Sequence, residues 1–258
     1  MESSHQIETK QIINELMEIQ AEYPNCDLSQ FQSLISANQY NQLYLILSKY
    51  IVKGSKVLDW GCGNGHFSYF LLTAGYQTDG FSFNDFSLRQ YLKLNYNFKL
   101  GNRQEPKILP YANNQFDAVV SVGVLEHVRE TGGNEIDSLK EIYRILKPGG
   151  YFICYHFPNQ FSWIETISAY IPNKHHHEYR YNKRMINNLC QQSGLEILEL
   201  KRYGFLPRNI SSKLPKRLKK SALISNIWNI SDEILQYLFS WFCQNYLFVT
   251  QKPDISIN

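Results

Sequence analysis

The sequence predicts an α/β fold, a mostly parallel sheet with helices on both faces, and three observations carry that expectation. Between residues 56 and 157, short apolar runs alternate with helix-spaced segments, the pattern of strand, crossover and parallel strand. One run, Val57-Leu58-Asp59-Trp60, feeds directly into the glycine-spaced turn Gly61-Cys62-Gly63-Asn64-Gly65 and then into a helical pattern. At 258 residues and 43% hydrophobic composition, the chain can bury one large core, and a sheet domain of this size needs no second unit. A single domain over residues 1–258 is therefore expected.

Residues 1–50 read as a helical N-terminal extension. Ile12, Leu16 and Ile19, then Leu43, Ile46 and Leu47, recur at helical spacing around a break at Tyr23-Pro24-Asn25. Residues 51–157 hold the alternating core, with strands expected at 56–59, 76–81, 116–124 and 151–157 and helices at 67–74, 86–94 and 135–146. Leu146-Lys147-Pro148-Gly149-Gly150 ends a helix and launches a strand, since proline cannot continue the helix and glycine accepts the exit conformation. Within residues 158–258 come an irregular connection at 158–180 rich in aromatics and histidine, a helix at 182–193 stopped by Gly194, and a strand at 195–200. A helical insertion at 207–242 and a last strand at 245–250 follow. Long connections in compact domains are usually functional.

Twenty-six basic against 23 acidic side chains give a net charge of +3, far from a dedicated nucleic-acid binder, and no nucleic-acid partner is expected. The five cysteines are odd in number, scattered and without a C-x-x-C pair. That pattern suggests neither a disulfide framework nor a zinc site, and a reducing cytoplasm is the natural expectation. No basic start followed by an apolar core opens the sequence, and no run approaches the roughly 18 apolar residues of a spanning helix.

The turn at 61–65 lets backbone approach a ligand without Cβ interference, and the helix after it supplies unpaired N–H groups and positive dipole. Its spacing is G-x-G-x-G, not the dinucleotide fingerprint G-x-G-x-x-G. The stretch VLDWGCGNG resembles motif I of class I S-adenosylmethionine-dependent methyltransferases, in particular the ubiquinone-biosynthesis-like, type 11 group. LPYANNQFDAVVSVGVLEHV (109–128) and EIYRILKPGGYFIC (141–154) match further motifs of that family in order. The resemblance is strong over residues 52–157 and weaker over 178–200 and 246–253.

It implies a Rossmann-like methyltransferase fold with a seven-stranded sheet, S-adenosylmethionine as cofactor with S-adenosylhomocysteine as product, and no metal. By the same resemblance Asp59 would organise the loop and help hold the cofactor's amino group, while Gly61, Cys62, Gly63 and Gly65 would line its methionine portion. The family places an acidic residue at the end of its second strand, but Ser82 stands there, followed by Phe83, Asn84 and Asp85. A hydroxyl lacks charge assistance, so Ser82, Asn84 and Asp85 all stay open as ribose partners. Glu105 matches the position that accepts from the adenine amino group, and Ser121 and Val122 would run beneath the cofactor.

Methyl transfer from a sulfonium is an in-line displacement from an already activated donor, so the enzyme mainly supplies alignment and, for poor nucleophiles, a base. His127 and His177 are the candidate bases, with His176 and His156 as alternatives; an unperturbed imidazole pKa of about 6.5 suits proton removal. His175, His176 and His177 are adjacent, and neighbouring residues point apart in regular backbone, so a metal there would need irregular backbone and ligands from elsewhere. Lys213, Lys216, Arg217, Lys219 and Lys220 precede an apolar stretch from Ile224 to Phe242. The favoured reading is a cap packed over the substrate cavity; the alternative is peripheral membrane contact through 213–242.

The expected function is methyl transfer to a small-molecule acceptor at oxygen, nitrogen or carbon, with the acceptor under an aromatic, histidine-rich cap. The competing readings are a cofactor-binding pseudoenzyme or assembly partner and, behind it, a protein or RNA methyltransferase.

Overall fold

The computed structural model describes residues 4–85, 88, 96–172, 174, 176–208 and 214–254, with only the backbone of Ser4 and Lys216. Helix α1 (Ser4–Glu22) stops before the 3-10 turn Pro24–Cys26, where the sequence places its break. A short helix α2 (Leu34–Ala37), capped by the Ser33 side chain on the Ser36 amide, leads through Asn38–Tyr40 into α3 (Asn41–Tyr50).

The sheet follows. Its strands are β1 (Lys56–Trp60), β2 (Gln77–Ser82), β3 (Asn97–Leu100), β4 (Phe116–Val122), β5 (Leu146–Pro158), β6 (Glu196–Tyr203) and β7 (Asn245–Gln251), in the spatial order β3-β2-β1-β4-β5-β7-β6. Pairing is parallel from β3 across to β5, while β7 runs antiparallel to both β5 and β6. This is the seven-stranded, mostly parallel sheet the sequence predicts. Central strands buried on both faces read as unbroken apolar runs, and Val57, Leu58, Val119 and Val120 are fully buried.

Helices cover both faces. On one side α1, α3 and α4 (His66–Thr73) bury Leu16, Leu43, Leu47, Phe67 and Leu71 against Val57, Val120 and Ile153. On the other, α5 (Glu135–Ile145) and α7 (Lys183–Ser193) bury Leu139, Ile142, Ile186 and Cys190 against Leu58, Val119 and Phe152. Asn134 and Asn182 cap these two helices, each accepting from the backbone amide three residues on.

Three elements depart from the sequence expectation. Strand β3 carries only Phe98 and Leu100 as apolar residues and lies at the sheet edge, too short and too exposed for an alternating signature. Strand β5 starts at Leu146, not Tyr151, because Leu146 already pairs with Phe116 and the Pro148-Gly149-Gly150 step is absorbed as an irregularity in register. Helix α6 (Trp163–Ser168) stands inside the segment expected to be irregular, started by the Ser162 hydroxyl accepting from the Glu165 amide. The helix expected at 86–94 lies outside the described residues, apart from Leu88.

The insertion before β7 contains α8 (Lys216–Lys219) and α9 (Ala222–Leu238). Helix α9 is inside out. Its inward side carries Ser225, Asn229, Asp232 and Gln236, and its outward side carries Leu223, Ile227, Ile230, Ile234 and Tyr237, which are 71, 57, 57, 54 and 86% exposed. The apolar stripe that the sequence assigns to a cap over the cavity therefore faces away from it. What holds α9 instead is polar. Arg208 donates to Asn229 Oδ1 (2.7 Å), Asp232 Oδ2 (2.8 Å) and the Ile35 carbonyl (3.0 Å). Asp232 Oδ1 accepts from the Phe205 and Leu206 amides, and Asn38 donates to Ser225 Oγ at 2.7 Å.

Removing one partner of a buried ion pair leaves the other charged and unmatched, at about 3–5 kcal/mol. Asp232→Ala is expected to lower unfolding stability by that amount in urea titrations; a loss below about 1 kcal/mol would mean that Arg208 does not anchor α9.

Candidate active site

Connectivity leaves β1 toward β2 on one side and meets β4 on the other, a topological switch point where the strands' carboxyl ends open a crevice. The turn after β1 is held by Gly61 and Cys62 amides donating to the Phe81 carbonyl at 2.8 and 3.0 Å. Gly61 has φ +75°, and a Cβ there would come within 2.6 Å of Val124 Cγ1, so only glycine lets this turn touch the exit of β4. A Cβ on Gly63, at φ +51°, would meet only the Gly61 carbonyl oxygen, at 3.8 Å. Gly65 begins α4 at φ +82°.

A cleft of about 410 Å³ lies over this turn, lined among others by Trp60, Gly61, Gly63, Ser82, Phe83, Asn84, Arg103, Val124 and Thr131. Arg103 donates to Asn84 Oδ1 at 2.7 Å, and its guanidinium sits 5.8 Å from the Phe83 ring centroid. Asp59 lies behind the turn, fully buried, accepting from Ser68 Oγ at 2.6 Å. Burial pushes its carboxyl up to about 7, against the lowering effect of the Ser68 hydrogen bonds.

A second cavity of about 430 Å³ shares Gly123 and His127 with the first. Its walls come from distant segments: Gln30, Asn38 and Tyr40 of the N-terminal extension, Glu126 and His127 after β4, His156 in β5, Glu165 and His177 of the long connection, and Arg208 and Asp232 near α9. The lining is mainly polar, so the expected aromatic enclosure reduces to tyrosines such as Tyr40, Tyr155 and Tyr203.

Each histidine has a distinct setting. His127 Nδ1 is 2.6 Å from Glu130 Oε1, and its Nε2 is 4.0 Å from Glu126 Oε1. His177 pairs through Nδ1 with Glu165 Oε1 at 3.1 Å, while its backbone amide donates to Glu165 Oε2 at 2.8 Å. Burial pulls His177 down, but the Glu165 hydrogen bond and the charges of Glu165, Glu126 and Glu130 outweigh it and raise its pKa. His156 occupies a bulge in β5 at φ +66°, a left-handed conformation that costs a non-glycine residue about 1–3 kcal/mol.

The Tyr203 hydroxyl accepts from the His156 amide and stands 2.8 Å from His156 Nδ1, so it holds both the backbone and the ring of this residue. Burial, with His66, His177 and Arg208 nearby, lowers the His156 pKa to about 3, and burial lowers that of His66 to about 4. Glu126 is 3% exposed with no hydrogen-bond partner for Oε2, and burial raises it to about 8 despite His177.

Of the residues singled out from sequence, Gly61, Gly63, Ser82 and Phe83 line the cleft, as does Asn84, while His127 lies on the boundary and His177 and His156 line the second cavity. Asp59, Cys62 and Ser121 are buried behind the cleft wall, Val122 packs partly against the core, and Gly65 starts α4. Glu105 is exposed, accepts from Asn102, and is not part of the lining, where Arg103 and Pro106 stand instead. Asp85 is also outside the lining, and His176 is exposed. Asn173, His175 and Lys213 lie outside the described residues.

Sequence reasoning missed Arg103, Tyr40, Tyr203, Arg208 and Asp232. The one visible signal was the cluster of Gln and Asn at 38–42 inside an otherwise apolar helical stretch.

Residues 32–200 match the family model of a methyltransferase domain. The chain belongs to this methyltransferase family. It is 28% identical over 179 residues to a sterol 24-C-methyltransferase of Gibberella zeae, covering 65% of this chain and 44% of that relative. It is 29% identical over 162 residues to a cycloartenol-C-24-methyltransferase of Arabidopsis thaliana, covering 57% and 42%. The match thus spans less than half the length of these curated relatives. Among solved structures, the Burkholderia thailandensis 1,6-didemethyltoxoflavin-N1-methyltransferase superposes with TM-score 0.54 at 14% identity, over 81% of this chain and 76% of that one. The Haemonchus contortus phosphoethanolamine N-methyltransferase 2 gives 0.53 at 19%, over 83% and 53%. At such identities the structures establish a shared fold.

The lowered histidine pKa values set a pH dependence. A histidine held neutral in the fold binds its proton first when unfolded, so its stabilising contribution is complete above about 6.5 and is lost as pH falls toward the folded value. Asp59 and Glu126, with raised values, act in the opposite sense, so the informative quantity is a difference. The stability advantage of the wild type over His156→Asn, whose side chain tolerates positive φ, is expected to shrink by about 1.4 kcal/mol per pH unit from pH 6.5 to 5. A pH-independent difference in urea unfolding would refute a neutral His156.

Proposed function

We propose that this chain transfers the sulfonium methyl of S-adenosylmethionine to a small, polar acceptor. The observation that carries the reading is the meeting of two cavities at Gly123 and His127, on the carboxyl edge of the sheet. The glycine turn fits the donor: Gly61 and Gly63 present backbone without side chains, and a volume near 410 Å³ lies in the range of pockets for small ligands. When bound, S-adenosylmethionine supplies a methyl group already activated toward in-line displacement.

The chain's residues would then act by position and charge. Gly61 and Gly63 would seat the methionine portion, with Asp59 bracing the turn from behind. Ser82, Asn84, Phe83 and Arg103 would hold the nucleoside, Arg103 taking a place that Glu105 does not reach. In the second cavity, His156 and His177, the latter oriented by Glu165, would contact polar groups of the acceptor. His127, whose Nδ1 is engaged by Glu130, presents Nε2 as the group that would take a proton from the acceptor.

The acceptor's surroundings follow from α9. Its exposed stripe continues into Trp241 and Phe242, 60 and 51% exposed, and is flanked by Arg217, Lys219 and Lys220. An apolar, aromatic face beside basic residues suits the interface of an anionic membrane, which supports an acceptor that is a polar head or lipid-linked group reached from that surface. No helix among the described residues is long and apolar enough to cross a membrane.

Two measurements test these readings. Gly63→Val, a β-branched residue forced to positive φ, is expected to abolish S-adenosylmethionine binding in calorimetry while circular dichroism stays native; unchanged affinity would remove the assignment of this turn. Sedimentation with phosphatidylglycerol vesicles should recover the wild type, and Ile230→Glu with Tyr237→Glu should weaken that binding at least tenfold. Wild-type protein left in the supernatant would exclude the membrane face.

A further inference from the structure

Glu126, His127 and His177 form the one set of three metal-competent side chains among the described residues, with a ligand atom from each lying within 4.8 Å of the others. They come from separate segments, the turn after β4 and the long connection between β5 and α7, which meets the condition of irregular backbone and ligands from elsewhere that the histidine run alone does not satisfy. We propose that these three side chains bind a divalent transition-metal ion at the seam between the cofactor cleft and the acceptor cavity.

Three features of the site point to an ion. Both imidazoles have Nδ1 engaged by a carboxylate, His127 by Glu130 at 2.6 Å and His177 by Glu165 at 3.1 Å. A carboxylate on one ring nitrogen is what fixes a ligating histidine, orienting the ring and directing Nε2 to the metal. Glu126 supplies the second feature: it is 3% exposed and its Oε2 has no hydrogen-bond partner. Buried polar atoms without partners are rare and costly, and a cation bridging Glu126 to the two rings would satisfy this one.

The third feature is access. All three residues line the 430 Å³ cavity, so coordination positions not taken by protein would open toward the acceptor. Bonds of about 2.0–2.2 Å to nitrogen and oxygen place ligand atoms roughly 3–3.4 Å apart, so from a spread of up to 4.8 Å the side chains need to close by about 1.4–1.8 Å. Two imidazoles and one carboxylate favour zinc, cobalt, nickel or iron over magnesium or calcium. The ion's binding stands independently of methyl transfer. Its use, holding an oxygen or nitrogen of the acceptor beside the donor cleft in place of proton removal by His127, rests on the proposed function.

The full chain, stripped with a chelator, would be titrated with Zn²⁺ by calorimetry and with Co²⁺ by visible absorption. One ion per chain, ligand-field bands from Co²⁺ and a Zn²⁺-dependent rise in unfolding temperature are expected. Glu126→Gln and His177→Ala should each weaken binding at least tenfold, and Glu165→Gln by a comparable factor through the ring it orients. His176→Ala, on the exposed neighbour, should leave binding unchanged. S-adenosylmethionine binding measured on the same sample separates the two proposals, since metal uptake without cofactor uptake supports the ion site and overturns the cofactor reading. Absence of stoichiometric uptake by the wild type overturns the ion site. So does uptake retained by the Glu126→Gln His177→Ala double variant at an unchanged metal-free unfolding temperature.

Discussion

The contact between Gly61 and Val124 is the constraint from which the site's geometry follows. A single added Cβ would collide with both methyl groups of Val124, so the turn after β1 and the exit of β4 can touch only because position 61 has no side chain. That closeness sets the floor of the cleft on one side. The chain then runs from Val124 through Leu125 to Glu126 and His127, placing the first polar groups of the second cavity a few residues from the same contact. The cleft and the second cavity are therefore neighbours by covalent geometry.

The second cavity is built on a different principle. Core strands hold the cleft by apolar burial, but the second cavity is closed by polar ties between segments far apart in sequence. Arg208 joins Ile35, Asn229 and Asp232, Asn38 reaches Ser225, and the Tyr155 hydroxyl donates to the Gln39 carbonyl. Polar ties are directional, so they fix the wall without filling the space behind it. They also explain why α9 can turn its apolar residues outward: its attachment does not depend on them.

Much of the fold was legible because the central strands are buried on both faces and the glycine turn has a strict stereochemical signature. Lys56–Trp60, Phe116–Val122 and Asn245–Gln251 fall within a residue or two of their expected bounds. Edge strand β3 was hidden because an exposed edge imposes no periodicity, and α6 because six residues are too few to show one. In the site, the glycines could be placed from local spacing and Ser82 from the family resemblance. Arg103 and Arg208 could not, since each acts through contacts set by tertiary packing, Asn84 for one and Asp232 for the other. The α9 stripe misled for an instructive reason. Apolar periodicity reports that a face avoids water, but not which apolar phase covers it.

Burial and neighbouring charges act in opposite senses on the titratable groups of the second cavity. Burial lowers the pKa values of His156 and His66, while the Glu165 hydrogen bond and nearby carboxylates raise that of His177 against its own burial. Glu126, between these regimes, is driven toward its neutral form by the same burial that leaves Oε2 without a partner. The carboxyl stands on the wall of the cavity that His127 and His177 also line. A ligand or ion that satisfies Glu126 would also complete the orientation of His127 and His177, so binding there would tighten the boundary that the cleft and the cavity share.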